Sequence, residues 1–183
     1  LAKTGRPGPC WLDIPIDVQS ARVDLHRLAG YIPAEDSINW QNGELVDAAT
    51  LTVLCRDVLR RVRNAQRPVI LAGKGIHLSG AESVFERVIE KFHIPVTVAW
   101  TGIDLMPYDH PLYCGCSADL GTRAGNFTVQ NSDLLLVVGC RLSLRQVSYN
   151  WKSFARQAYK IQVDIDPVEM LKHTVNIDQP IAS

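Results

Sequence analysis

Leu134-Leu135-Leu136-Val137-Val138-Gly139-Cys140-Arg141 decides the fold: five consecutive apolar residues stop at a glycine, and a cation follows two positions on. A run this short is too brief for a buried helix, and with no polar alternation it reads as a strand covered on both faces. Three other runs share the pattern. They are Val69-Ile70-Leu71-Ala72 before Gly73, Val96-Thr97-Val98-Ala99-Trp100 before Gly102, and Ile161-Gln162-Val163 before Asp164. Helical patterns lie between them, and strand–helix–strand alternation implies a parallel sheet with right-handed crossovers. Ligands of such sheets bind beyond the carboxyl ends of the strands. The glycines and acids at 73–75, 101–104, 139–145 and 164–166 are therefore expected to line one crevice.

Working outward, residues 44–64 are expected to form a long helix. Leu51, Leu54, Val58 and Val62 keep helical spacing, and Arg56, Arg60, Arg61 and Arg63 fall mostly on the other, solvated face. Pro68 blocks continuation and opens the first core strand. A second helix is expected over residues 81–92, and a third begins near Gly121-Thr122-Arg123-Ala124-Gly125-Asn126. At the other end, Gly5-Arg6-Pro7-Gly8-Pro9 reads as a stiff turn before the apolar run Cys10 to Ile16, which Pro15 restricts to a strand end or an edge. Residues 19–43, with Pro33, Asp36, Asn39, Asn42 and Gly43, read as an interdomain linker.

Composition excludes several classes of function. The chain has 183 residues, 46% of them hydrophobic, which suits one sizeable domain with an appended segment. Nineteen basic residues balance nineteen acidic ones, so no bulk attraction to nucleic acid or anionic membrane is expected. No apolar run approaches the ~20 residues of a membrane span. No signal peptide is visible, and Leu1 in place of Met predicts a piece of a longer chain. Five cysteines without CxxC spacing predict reduced thiols and a cytoplasmic protein.

The chemistry-bearing residues follow the strands. Gly73-Lys74-Gly75 is a bare GxG; its backbone could approach a phosphate beside a helix N-terminus, or simply form a tight turn. Lys74 either neutralises a phosphate or is solvated. His77 reads as a polar loop residue, with no carboxylate partner evident nearby. Arg141 and Arg145 could clamp a diphosphate or make surface ion pairs. In Val163-Asp164-Ile165-Asp166-Pro167, Asp166 suits a helix cap with Pro at the first helical position. Asp164 suits a ribose hydroxyl. Tyr149 and Trp151 are expected to pack beneath the next helix.

Taken in order, these segments resemble one family. Gly5-Arg6-Pro7-Gly8-Pro9-x-Trp11-x-Asp13-Ile14-Pro15, Arg67 to Gly75, Ile94-Pro95-Val96-Thr97, Asn131 to Arg141 and Val163-Asp164-Ile165-Asp166-Pro167-x-Glu169 are similar to the acetolactate synthase group of thiamine diphosphate enzymes. The resemblance implies an α/β fold, a Rossmann-like parallel six-stranded sheet with helices on both faces. It divides the chain into the tail of a pyrimidine-binding domain (residues 1–18), a linker (19–43) and a central domain (44–183). The parent enzyme would use thiamine diphosphate and Mg2+ to decarboxylate a 2-oxo acid such as pyruvate and ligate the product to an acceptor. The catalytic glutamate and the metal–diphosphate motif would lie in the pyrimidine-binding and diphosphate-binding domains, leaving this piece without catalytic residues. The parent would be a homo-oligomer.

In that family the central domain holds FAD as a structural group. Carried over position by position, the contacts are Arg6, Gly73, Lys74, Gly75, Gly121, Gly139, Arg141, Arg145, Asp164 and Ile165. Lys74 interrupts the family's triple glycine, Ser143-Leu144 replaces its acidic pair, and Leu120 stands where a histidine is usual. ADP in place of FAD therefore stays open. So does a purely structural module whose crevice is filled by side chains such as Trp100, Leu120, Leu142 and Leu144. A nicotinamide dehydrogenase is disfavoured by the poor glycine fingerprint, and a sirtuin-like deacylase by the lack of two zinc-binding cysteine pairs.

Overall fold

Strand β1, Pro68–Ala72, begins where Pro68 ends any helix and is buried along Val69 to Ala72. The computed structural model describes residues 2, 8–30 and 45–183, and the chain divides into two units, residues 1–44 and 45–183. In the first unit, α1 spans Ile16–Ser20. The run from Cys10 was expected to end or edge a strand, but among the described residues it joins no strand, and Pro15 stands at the N-cap of α1 instead. Proline's fixed φ suits a helix start, and a strand needs a partner's ladder. Trp11 is 92% exposed.

The second unit opens with α2, Ala48–Asn64. Its start lies four residues after the expected one because Asp47 caps it, accepting the N–H groups of Ala49 and Thr50 at 2.9 Å. Val62 is buried, and Leu51, Leu54 and Val58 pack partly buried beside it. Arg61, the half-buried arginine, pairs with Asp57 at 2.8 Å and lies 4.0 Å over the Tyr159 ring.

After β1 come α3 (Gly75–Leu78), α4 (Glu82–Phe92), β2 (Val96–Val98), β3 (Tyr113–Cys116), α5 (Arg123–Gln130) and β4 (Leu134–Val138). Then α6 (Leu144–Val147), β5 (Tyr159–Asp164), α7 (Pro167–Met170) and β6 (Gln179–Ala182) complete the chain. The six strands run in the order β3-β2-β1-β4-β5-β6, and every neighbouring pair is parallel. The α/β sheet with six parallel strands is thus as expected, and four strands coincide with the apolar runs. The second run stops at Val98, and Trp100–Gly102 turns into a short 3₁₀ segment. The edge strands β3 and β6 escape the sequence reading. Tyr113-Cys114-Gly115-Cys116 and Gln179-Pro180-Ile181-Ala182 are covered on fewer sides and so need no apolar run.

Alternation along the strands builds two cores. Ile70, Ala72, Val96, Val98, Leu134, Leu136 and Ile161 face Val62 of α2 and Phe85 and Ile89 of α4. Val69, Leu71, Leu135 and Val137 face Val129 of α5, with Leu142, Val147, Phe154 and Val175. Both faces of the sheet are therefore covered, which is the condition for apolar strands without alternation.

Asp133, just before β4, ties the α2–β1 turn to the sheet by accepting the N–H groups of Gln66 at 2.8 Å and Arg67 at 2.9 Å. Burial opposes its charge, but those two N–H groups, its own backbone N–H and the Arg67 charge together outweigh it and hold the carboxyl below its usual 3.8. A depressed carboxylate pKa contributes stability above the unfolded value that is lost as pH falls through the folded one. Asp133→Ala is expected to cost about 2 kcal/mol, within the range for hydrogen bonds to a charged group. Urea unfolding at pH 7 and pH 3 checks this, and the difference between wild type and variant should shrink at the lower pH.

Candidate functional site at the carboxyl ends of the strands

The chain places β1 in the middle, steps outward through β2 and β3, and returns to β4 on the other side of β1. The loops after β1 and β4 therefore diverge, which makes a topological switch point. Here the structure brings Gly73, Gly75 and Gly139 together. Gly73 N–H donates to Val138 at 2.9 Å, and Gly75 N–H donates to the Gly139 carbonyl at 2.8 Å. A Cβ on Gly73 would lie 2.4 Å from the Gly139 oxygen, and one on Gly75 would lie 2.6 Å from Gly139 Cα. Gly139 itself has φ +60°, a left-handed conformation that favours glycine.

These contacts change the reading of the GxG loop. Its glycines are required by backbone packing of one loop on another, and two of its N–H groups are already spent. The loop also folds directly into the four-residue α3. Lys74 is exposed beside it.

Gly121 and the first turn of α5 repeat this logic at β3. A Cβ on Gly121 would sit 2.5 Å from Ala118 N, and Thr122 caps α5 by accepting Gly125 N–H at 3.1 Å. The segment after β4 reaches back to this loop. The Gln146 side-chain amide donates to the carbonyl and hydroxyl of Ser117, and Asp119 N–H donates to the Arg145 carbonyl at 2.9 Å. Just before these anchors Leu142 is buried with φ +51°. Of the four side chains considered as crevice filling, Leu142 is buried, while Trp100, Leu120 and Leu144 are exposed.

Both arginines expected at the crevice meet carboxylates of their own chain. Arg145 Nε lies 3.3 Å from Asp119, and Arg141 lies 3.2 Å from Glu169, which also holds Lys172 at 2.9 Å. Lys172 donates to the Arg141 carbonyl as well. Asp164 ends β5 only 6% exposed and accepts the N–H of Asp166 at 3.1 Å, while Ile165 points outward. Asp166 caps α7 by accepting Val168 and Glu169 N–H groups, with Pro167 at the first position, as the sequence predicts. Arg6 lies outside the described residues, as do residues 31–43 of the expected linker.

Two expectations are corrected here. His77 has two carboxylate partners, Glu82 at 2.9 Å and Asp104 at 3.0 Å. Asp104 is 27 residues distant and reaches His77 only through the pairing of β1 with β2. Tyr149 is exposed rather than packed; Trp151 alone tucks in, edge-on to His173 with ring centroids 6.3 Å apart.

Elsewhere, burial pushes the Cys140 thiol up to about 11, an unreactive state, and all five cysteines are free. Among the described residues no helix is long and apolar enough to cross a membrane. No three His, Cys, Asp or Glu side chains among them converge as metal ligands. A surface cavity of about 300 Å³ lies on α2, lined by Arg56, Leu59, Arg60, Arg63 and Asn64, near the amino rather than the carboxyl ends of the strands.

Comparison with known proteins agrees with this geometry. The family model described as "Thiamine pyrophosphate enzyme, central domain" matches residues 55–183. A probable acetolactate synthase large subunit of Methanococcus aeolicus is 36% identical over 181 residues, covering 99% of this chain and 29% of its own length. The acetolactate synthase large subunit of Lactococcus lactis is 33% identical over 183 residues, covering all of this chain and 30% of its own. A probable chloroplastic acetolactate synthase 2 of Oryza sativa is 38% identical over 181 residues, covering 94% and 25%. This chain thus spans less than a third of each of these relatives. The parallel sheet with its switch point between β1 and β4, matched over residues 55–183, places the chain in the thiamine pyrophosphate enzyme family as a bearer of its central domain.

Proposed function

We propose that this chain is the middle part of a thiamine diphosphate-dependent, acetolactate synthase-like enzyme. The parent decarboxylates a 2-oxo acid such as pyruvate and ligates the resulting fragment to an acceptor. The relatives' printed names support this reading, and so does their match to this chain over nearly its whole length. Mg2+ and thiamine diphosphate would be bound by the pyrimidine-binding and diphosphate-binding domains of the same parent, a cytoplasmic homo-oligomer. The central domain then spaces those domains and carries no catalytic residue.

The crevice is the proposed site of an adenine nucleotide, FAD or ADP. The observation that carries it is Asp164, a carboxylate buried at the end of β5 beside the switch point. Its position suits a ribose hydroxyl, with Arg141, Arg145 and Lys74 toward the phosphates and Gly121, Gly139 and Ile165 along the ligand. Bound FAD would serve as a structural group there. The ion pairs of Arg141 with Glu169 and Arg145 with Asp119 favour a second reading, a spacer with no nucleotide, because an anionic ligand must first displace those carboxylates.

Titration of FAD and ADP into the full-length protein, followed by flavin fluorescence and thermal midpoint, separates the two. Under the nucleotide reading binding saturates, and Arg141→Ala or Asp164→Ala weakens it about tenfold, the loss of one charge-assisted contact. Neither ligand binding nor shifting the midpoint would establish the spacer.

A further inference from the structure

His77 stands in α3 with both ring nitrogens engaged: Nδ1 lies 2.9 Å from Glu82 Oε1 and Nε2 lies 3.0 Å from Asp104 Oδ1. An ionised carboxylate only accepts hydrogen bonds, so satisfying both contacts requires two N–H groups on one ring, which only the imidazolium carries. The three residues come from three elements. His77 belongs to the turn after β1, Glu82 to the first turn of α4, and Asp104 to the loop after β2. The histidine side chain is 19% exposed, whereas both carboxylates are open to solvent. Lys74, at the start of the turn, is the remaining charge that acts on it.

We propose that His77 is a proton-dependent latch between the β1 and β2 loops, closed when the imidazolium bridges Glu82 and Asp104 and released when it loses its proton. Deprotonation leaves a ring lone pair facing a carboxylate oxygen, so one of the two contacts must part. Asp104 is the one that opens, because Glu82 is held on α4 next to the turn, while Asp104 is 64% exposed on a loop. Release stays local. Leu105 and Met106 remain buried beneath the loop, and Ala99 N–H remains bonded to Ala72 at 2.8 Å. What loosens is the outer rim carrying Trp100, Ile103 and Leu78, all exposed. This goes beyond the nucleotide reading and holds whether or not a nucleotide binds.

The charge balance agrees in sign. The Glu82 carboxylate raises the His77 pKa above its usual 6.5, desolvation opposes this, Asp104 adds to the rise, and Lys74 opposes it. A raised histidine pKa contributes stability in full below the unfolded value, and that contribution is lost as pH rises through the folded one. The latch is therefore closed in mild acid and opens on the alkaline side of 6.5.

The test uses the full-length protein and mass spectrometry. Deuterium exchange at the imidazole C2 position reports the His77 titration, and amide exchange reports protection of peptides covering residues 75–82 and 100–106. The expected result is a His77 midpoint above 6.5. A several-fold loss of protection in the 100–106 peptide, after correction for intrinsic exchange, should follow the same midpoint. Asp104→Asn should lower the midpoint, and His77→Gln should make protection independent of pH. A midpoint at or below 6.5, or protection unchanged through the titration, would overturn the latch. Should His77→Gln fail to fold, the wild-type titration and Asp104→Asn still decide.

Discussion

Gly73→Ala is expected to destabilise the protein by about 3 kcal/mol, the upper end of overpacking costs. The new Cβ would lie 2.4 Å from the Gly139 oxygen, 2.5 Å from Cys140 Cβ and 2.7 Å from Cys140 Cα. Two of those atoms are backbone, and Cys140 is buried, so no flexible side chain can swing away. Gly139→Ala should act in the same direction. It adds the left-handed strain of about 1–2 kcal/mol for an L-residue to a contact 2.8 Å from Gly75 Cα. Urea unfolding in the absence of nucleotide is the deciding measurement. If Gly73→Ala left the midpoint unchanged and impaired only ligand binding, the glycine would be serving a ligand's approach, and the loop-packing account would fail.

The second large effect lies in the sheet. Leu135 is 0% exposed, in the middle of β4 and in the core shared with Val69, Leu71, Val137 and Val129. It pairs with Val69 on one side and Lys160 on the other, so its neighbours are held by ladders and cannot collapse far into a void. Leu135→Ala should therefore cost about 2–5 kcal/mol. Against a typical total of about 5–15 kcal/mol this threatens folding at physiological temperature. Val53→Ala on the exposed face of α2 is the control and should stay within about 0.5 kcal/mol of wild type. Thermal melts of the two variants side by side provide the comparison. A Leu135→Ala loss no larger than that of Val53→Ala would mean that β4 is not the centre of the core.

The latch and the packed glycines share a cause. The loops after β1, β2 and β4 are joined at the strand ends because the strands beneath them are neighbours. Ile70 pairs with Val96 and Ala72 with Val138. The segments leaving β1 and β4 are short before their next helices, α3 and α6, so the backbone of one must pass close to the other. Glycine is the residue that permits that approach, whether or not a ligand ever arrives.

Local pattern alone marked out much of this protein. Buried parallel strands must be apolar on both faces, so β1, β2, β4 and β5 stand out as short runs ended by glycine or acid. The cap at Asp166 is visible because proline at the first helical position is itself a local constraint. Strands β3 and β6 are silent, since an edge strand tolerates Gly115 and Pro180 and needs no continuous apolar stretch. The distant partners of the charged groups at the strand ends belong to tertiary structure alone. His77 meets Asp104, Arg145 meets Asp119 and Arg141 meets Glu169 across 26 to 28 residues of chain. Such meetings depend on which strands become neighbours, a matter of where the chain reverses direction across the sheet. The sequence by itself thus determined the four inner strands and the family; only the fold decided which cations at the strand ends are already paired, and which glycines serve the backbone.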